Sequence, residues 1–353
     1  MMDIETIDPE ELRDAAARML GDMVERRAPY DPGKSADRAG LYGAMVEQGW
    51  LLLTVPAEMD GLGQSFVALA PIYEELGKAI SPVVLAPSLA ALELLAFNPG
   101  DALTELAAGI AGGEARVAVA DQGSVSVAGG TLSGALTGVL ADESATHLLL
   151  LGADGQAWIA DLSAASVIAQ DSWDRSRILH DIVLDGVAAQ AALAAPDQAA
   201  TGRVRAHCDL AIAWDNAGGH ARILDETLDY LRTRKQFDRA IGSFQALKHR
   251  AADHKVDLEV ARGAARNATR AFAAGAADAV TVAAQARLVT ETAYRAMAED
   301  AVQLHGGIGF TWEHDCHLFL KRAILNELLY GRAGERRDRI APAVLAKMAQ
   351  GRA

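Results

Sequence analysis

Leu210, Trp214, Ala217, Ala221, Leu224, Leu228 and Leu231 recur at alternating steps of four and three residues. Apolar residues at that spacing line one face of a single α-helix and form a seam of coiled-coil type, which is stable only when other helices cover it. The stretches that follow are built to do so. FQALKHRAADHKVDLEVARGAARNATRAFAAG reads as a second helix closed by Gly275, and DAVTVAAQARLVTETAYRAMAEDAVQLHGG as a third closed by Gly306 and Gly307. HDCHLFLKRAILNELLY supplies a fourth. Long helices in succession make an antiparallel bundle.

The rest of the chain divides by pattern. Residues 9–115 read as helical, beginning after Asp8-Pro9 with ELRDAAARMLGDMVERR. LYGAMVEQGWLLLTVP continues as one helical run to a stop at Pro56, and SFVALAPIYEELGKA resumes after Ser65, a candidate N-cap. Between about 116 and 195 the signal changes to short apolar runs (ARVAVA, TLSGALTGVL, THLLLLGA, AWIADL, ILHDIVLDGV) punctuated by Gly, Asp and Ser, as in a compact β-domain. The expected fold is therefore mainly α with a small β-domain: an N-terminal helical domain over 1–115, a reduced middle β-domain over 116–200 and a C-terminal four-helix bundle over 201–353.

Composition narrows the function. The formal net charge of −14 argues against a nucleic-acid partner. Two cysteines, Cys208 and Cys316, do not make a disulfide framework in 353 residues, and reduced thiols in a cytoplasmic protein are the simplest reading. The acidic N-terminus lacks the order of a signal peptide, and no apolar run approaches the roughly 18 residues of a membrane span. Ser, His and Asp residues show no nucleophile-elbow spacing, and there is no GKS or GKT phosphate loop.

Three stretches carry the chemistry. RTRKQFDRAIGSFQALKHRAAD places Arg234 and Lys235 at the end of the first bundle helix, Phe237 just beyond, and Gln245 at the start of the next helix. QLHGGIGFTWEHD places Gln303, Gly306 and Gly307 at the end of the third. GWLLLTVPAEMDGLGQSFVALAPIYEELGKAISP lies in the N-terminal part. Locally, Arg234 could cap a helix, Phe237 could be core, and the two glycines could be a C-cap. Together the three stretches resemble the acyl-CoA dehydrogenase family, strongly at both ends of the chain and weakly in the middle.

The resemblance implies FAD as cofactor, with Arg234, Phe237, Gln245, Gln303, Gly306 and Gly307 contacting the pyrophosphate and adenosine of an FAD whose flavin ring rests on a neighbouring subunit. A guanidinium suits a pyrophosphate because it pairs with two oxygens at once, and paired glycines let backbone approach a ligand closely. It also implies α,β-desaturation of an acyl-CoA thioester, with a carboxylate as general base and an electron-transfer flavoprotein or similar acceptor. Here the pattern departs from the family. The usual glutamate position falls on Tyr330, a poor base at neutral pH. The alternative position on the first bundle helix falls at or near Cys208, leaving Asp209, Glu327 and Glu335 as weak candidates whose plain reading is solvated surface charge. In the middle domain, AVADQGSVS and TGVLADE, with Gly138 and Leu140, stand where the family keeps the groups that bond and shield the flavin ring.

These departures imply a subunit with no catalytic residue of its own. It resembles the smaller, base-lacking subunit of bacterial heterotetrameric acyl-CoA dehydrogenases, some of which act on steroid side-chain thioesters. The expected partner is a related acyl-CoA dehydrogenase subunit in an α2β2 heterotetramer. Two alternatives stand beside this reading: a self-sufficient homomer with a non-standard base, and a non-catalytic scaffold of the same fold. No metal site is expected, since within Glu313–His317 only His314 and His317 share a helical face.

Overall fold

The computed structural model describes residues 6–96 and 101–350; the parts of the N-terminal expectations that fall on 1–5 and 97–100 lie outside them. The chain forms two compact units. Among the described residues, one comprises those up to Glu11, Met23–Leu69 and those between Pro82 and Cys208; the other comprises Leu12–Asp22, Ala70–Ser81 and those from Asp209 onward.

Among the described residues, five α-helices precede the strands: α1 (Pro9–Met23), α2 (Arg38–Glu47), α3 (Leu69–Ala79), α4 (Ala86–Ala96) and α5 (Asp101–Ala111). Pro9 opens α1, as its fixed φ allows. The expected single run from Leu41 to Pro56 is broken. Gly49 adopts φ 73°, and a short 3₁₀ turn over Trp50–Leu52 follows. Asn- or Gly-like backbone there ends a helix whatever the apolar pattern beyond it. Ser65 does cap: its side chain accepts from the Val67 amide at 3.4 Å, opening the turn that leads into α3.

The strands are β1 (Val117–Asp121), β2 (Ser126–Ala128), β3 (Thr131–Leu140), β4 (His147–Leu151), β5 (Ala157–Asp161), β6 (Ser166–Ala169) and β7 (Leu179–Ala191). They pair in the order β1-β4-β5-β7-β3-β2, with β6 also on β7. Only β1 and β4 are parallel; the other neighbours are antiparallel. Leu132, Leu148, Leu150, Ile182 and Leu184 are buried at the centre of this sheet. β3 slips register between Leu136 and Val139, where Gly138 has φ 65° and its amide donates to Asp181 Oδ1. That is the signature of a bulge, which a strand pattern alone does not announce.

The remaining long elements are α6 (Gln198–Thr233), the two-residue strands β8 (Lys235–Gln236) and β9 (Arg239–Ala240), α7 (Gln245–Ala273), α8 (Ala279–His305), α9 (Cys316–Leu328) and α10 (Ala333–Gln350). Residues 206–221 of α6 are buried without a break, so its heptad seam is only part of a helix packed on every side. Gly218 of α6 and Gly77 of α3 permit a close crossing of these two helices. A Cβ at Gly218 would overlap the Glu74 carbonyl oxygen, and one at Gly77 the Asp215 carbonyl oxygen. Several polar side chains buried by this packing are bonded, as burial favours. Asn326 Nδ2 donates to Asp215 Oδ1 and Asn216 Oδ1, both at 2.7 Å, and Arg322 donates to Ser81 O at 2.9 Å. Among the described residues no helix is long and apolar enough to cross a membrane.

Candidate functional site

The chain leaving α6 turns back through the β8–β9 hairpin, and the two residues at its tip, Phe237 and Asp238, have φ of 52° and 61°. Both central residues of a two-residue hairpin sit in the left-handed region only in the I′ turn, which Asn-Gly adopts freely and Phe-Asp does not. The turn projects Phe237 outward, 84% exposed. Behind it, the Phe237 and Phe244 rings meet edge to face at 6.1 Å, and the Arg239 guanidinium covers the Phe244 ring at 4.0 Å.

At the end of α8 the backbone breaks at Gly306, with φ 64° and ψ −141°. A Cβ at Gly306 or Gly307 would meet nothing of this chain within 4 Å, so both glycines border open space. The two breaks face one cleft of about 690 Å³, lined by Arg234, Phe237, Gln303, Gly306 and Gly307, with Arg250 and Phe244 among the other walls. Five of the six residues expected to hold FAD are thus brought together. Gln245 is the exception: it opens α7, exposed, and does not line the cleft.

Sequence reading missed Arg250, Gln236, Phe244 and Glu313, which also line the cleft. Arg250 lies five residues beyond Gln245, on the helix already marked, and its guanidinium is anchored by Asp300 on α8. Arg234 makes no ion pair among the described residues, so its guanidinium is available to an anion. A bidentate cation, a planar apolar face, an amide and bare backbone around one cleft fit a dinucleotide tail: charge for the pyrophosphate, donors for the sugar, a flat surface for a ring.

The carboxylates considered as bases stand elsewhere. Asp209 is not surface charge. It is 2% exposed, accepts from Arg287 Nη1 at 2.7 Å and from Arg339 Nη2 at 2.9 Å. Glu327 accepts from Arg295 Nη1 at 2.9 Å. Glu335 caps the start of α10, accepting from the Arg332 amide at 2.8 Å. Tyr330 has φ 54°, and the turn that carries it is pinned on both sides: Arg287 donates to Leu329 O, and Arg336 to Gly331 O and Glu291. Burial outweighs these guanidinia at Glu291 and pushes its carboxyl above the usual range.

In the β-unit the turn after β1 is also tied up within the chain. Gln122 Nε2 donates to Val125 O at 2.9 Å, Gly138 is bonded to Asp181, and Asp121 accepts from Arg205 at 2.7 Å.

Comparison with known proteins agrees with this architecture. The acyl-CoA dehydrogenase N-terminal domain matches residues 6–98 and the acyl-CoA dehydrogenase C-terminal domain residues 206–345. Acyl-CoA dehydrogenase IpdE2 of Mycobacterium tuberculosis is 34% identical over 322 residues, 87% of this chain and 90% of that protein. The IpdE2 of Mycolicibacterium smegmatis is 31% identical over 334 residues, 94% and 92%. The chain belongs to the acyl-CoA dehydrogenase family, a family of FAD-binding oxidoreductases. Among solved structures, a variant of the steroid ACAD Tcur3481-Tcur3483 superposes with TM-score 0.86 at 24% identity, covering 97% of this chain and 98% of that one. A chain of the ChsE4-ChsE5 complex from Mycobacterium tuberculosis superposes with TM-score 0.83 at 22% identity, covering 98% and 99%.

Proposed function

We propose that this chain is the non-catalytic subunit of a heteromeric, FAD-dependent acyl-CoA dehydrogenase of the cytoplasm. It grips the nucleotide tail of an FAD whose flavin ring and catalytic base belong to a related partner subunit, in an α2β2 assembly. One contrast supports the reading: the cleft of Arg234, Phe237, Gln303, Gly306 and Gly307 is open and offers a cation, a flat face and bare backbone, while Asp209 and Glu327 are each held by arginine.

FAD, when bound, supplies the acceptor for the hydride leaving the acyl β-carbon. The work of this chain is to hold and orient. Arg234 would pair with the pyrophosphate, Gln303 would bond a sugar or phosphate oxygen, and Gly306 and Gly307 would let the backbone come close. Phe237 would cover an apolar face. The proton at the α-carbon is not taken by this chain. Both oxygens of Asp209 are engaged by guanidinia, from Arg287 and Arg339, in a side chain 2% exposed, which leaves it no free face to present to a thioester. The bonded turns at Gln122 and Gly138 favour the same division, since they leave few donors for a ring. The substrate is an acyl-CoA thioester, of the steroid kind by likeness to the Tcur3481-Tcur3483 fold, and an electron-transfer flavoprotein is the matching acceptor.

The deciding experiment co-expresses the chain with the product of a neighbouring related gene and measures flavin per purified pair. One FAD per pair is expected. Two per pair, or a yellow homomer of this chain that turns over acyl-CoA, would overturn the proposal in favour of a self-sufficient enzyme.

A further inference from the structure

Among the described residues two arginines line the cleft, and they are held differently. Arg234 makes no ion pair, whereas Arg250 is gripped along one edge of its guanidinium. Arg250 Nε donates to Asp300 Oδ2 at 3.1 Å, and Nη2 pairs with Asp300 Oδ1. Among the described residues Nη1 has no hydrogen-bond partner, which leaves that amino group free. The Arg250 side chain is 42% exposed and that of Asp300 only 16%, so the carboxylate lies behind and the cation in front. His254 Nε2 lies 2.9 Å from the same Asp300 Oδ2. We propose, on the reading of the cleft as an FAD site, that Arg250 binds the diphosphate through Nη1 and that Asp300 is the positioning residue that aims it.

The helix geometry builds this arrangement. Arg250 and His254 are four residues apart on α7 and therefore share one face, which Asp300 of α8 meets. Asp300 stands three residues before Gln303, which lines the cleft, so one face of α8 carries both. The trio thus fixes the guanidinium next to the amide that borders the same space.

The charge of the cleft calls for a second cation. Each phosphate of a dinucleotide carries a negative charge. Of the charged side chains in the lining, Glu313 offsets Arg234, and Arg250 supplies the remaining positive charge. The chain as a whole has a formal net charge of −14, so any attraction for an anion must be local. Fixing matters as well as charge. A loose arginine gives up side-chain freedom when it binds, and one already gripped by a carboxylate has less to lose.

The rival account is that Arg250, Asp300 and His254 only clamp α7 to α8. It predicts an effect on stability and none on the ligand. The test uses the co-expressed complex, with FAD affinity from equilibrium dialysis at low and high salt and melting followed by circular dichroism. Arg250→Met should weaken FAD binding about ten- to a hundredfold. It should also flatten the salt dependence, because a charge facing the ligand has gone. Arg250→Lys should restore the salt dependence but only part of the affinity, since an ammonium cannot bond Asp300 along an edge and extend a further planar donor. Asp300→Asn should cost less than Arg250→Met, and in the Arg250→Met background it should add no more than about twofold.

A folded Arg250→Met complex with wild-type affinity and salt dependence would overturn the proposal. So would wild-type affinity in Arg250→Lys, or an Asp300→Asn loss that adds in full to that of Arg250→Met. Arg250→Lys keeps a counter-ion for Asp300, so it reports even where Arg250→Met fails to fold. Arg234→Ala separates the two readings. A loss of FAD there with none at Arg250 overturns the role of Arg250 alone, whereas no loss at either overturns the FAD reading with it.

Discussion

The guanidinium of Arg287 donates to Asp209 at 2.7 Å, and neither side chain touches solvent to more than 2%. Arg339 closes the other carboxylate oxygen. Removing the charge at Asp209 takes from buried Arg287 its nearer counter-ion, leaving only Glu291 at 3.8 Å, and breaking such a buried pair costs about 3–5 kcal/mol. Asp209→Asn should therefore lower the urea midpoint of the chain sharply while leaving kcat of the assembled enzyme within about twofold of wild type at a temperature where both are folded. A loss of turnover without loss of stability would make Asp209 the base.

Arg234 has the opposite profile. It is exposed at the end of α6 and lines the cleft. Arg234→Ala should barely move the melting temperature of the isolated chain. In the complex it should weaken FAD retention roughly ten- to a hundredfold, the worth of one charge-assisted hydrogen bond of about 1.5–3 kcal/mol. Flavin absorbance after gel filtration reads the difference.

Gly218 tests the helix crossing. Because a Cβ there would overlap the Glu74 carbonyl oxygen, Gly218→Ala must push α3 and α6 apart. Chemical denaturation should show a loss of about 1–3 kcal/mol despite the better helix propensity of alanine.

Much of this was legible in the sequence, and the rest was not for definite reasons. The α6 seam and the glycine pair after α8 are local signals, and both landed where the pattern put them. Five of the six residues expected to hold the cofactor line one cleft because two helix ends and the hairpin between helices carry them. Asp209 could not be read, since its partner Arg287 lies 78 residues away and nothing in either neighbourhood marks the pair. β2 and β6 are too short, at 3 and 4 residues, to show an alternation, and α10, which carries Pro342, drew no reading at all.

His220 sets a pH dependence. Burial drives its pKa down to about 3, with His254 adding to the effect, and its Nε2 lies 3.1 Å from the His254 carbonyl oxygen. The folded chain holds this ring neutral, whereas the unfolded chain protonates it near pH 6.5. Stability is therefore complete above pH 6.5 and falls as pH drops below it, by about 1.4 kcal/mol per unit, until the folded value near 3 is reached. His220→Gln should flatten the stability-against-pH curve between pH 6 and 4 by that slope, about 1.4 kcal/mol per unit. Urea melts at several pH values provide the check.

The hairpin tip gives a fifth prediction. Replacing Phe237-Asp238 by Asn-Gly relieves two left-handed residues, each costing about 1–2 kcal/mol. The isolated chain should unfold at higher denaturant, and the complex, on the proposed reading, should retain less FAD, because the same change removes a ring that would cover part of the nucleotide.

That bend has a meaning beyond the single molecule. A naked benzyl group held out on a backbone that resists the shape is a debt left open until another surface leans on it. Synthesised ahead of whatever covers that ring, the polypeptide would accumulate with a sticky knuckle bared to its own copies. Synthesised in step with a covering partner, as the proposed heteromer requires, it would bury that ring before meeting its own copies.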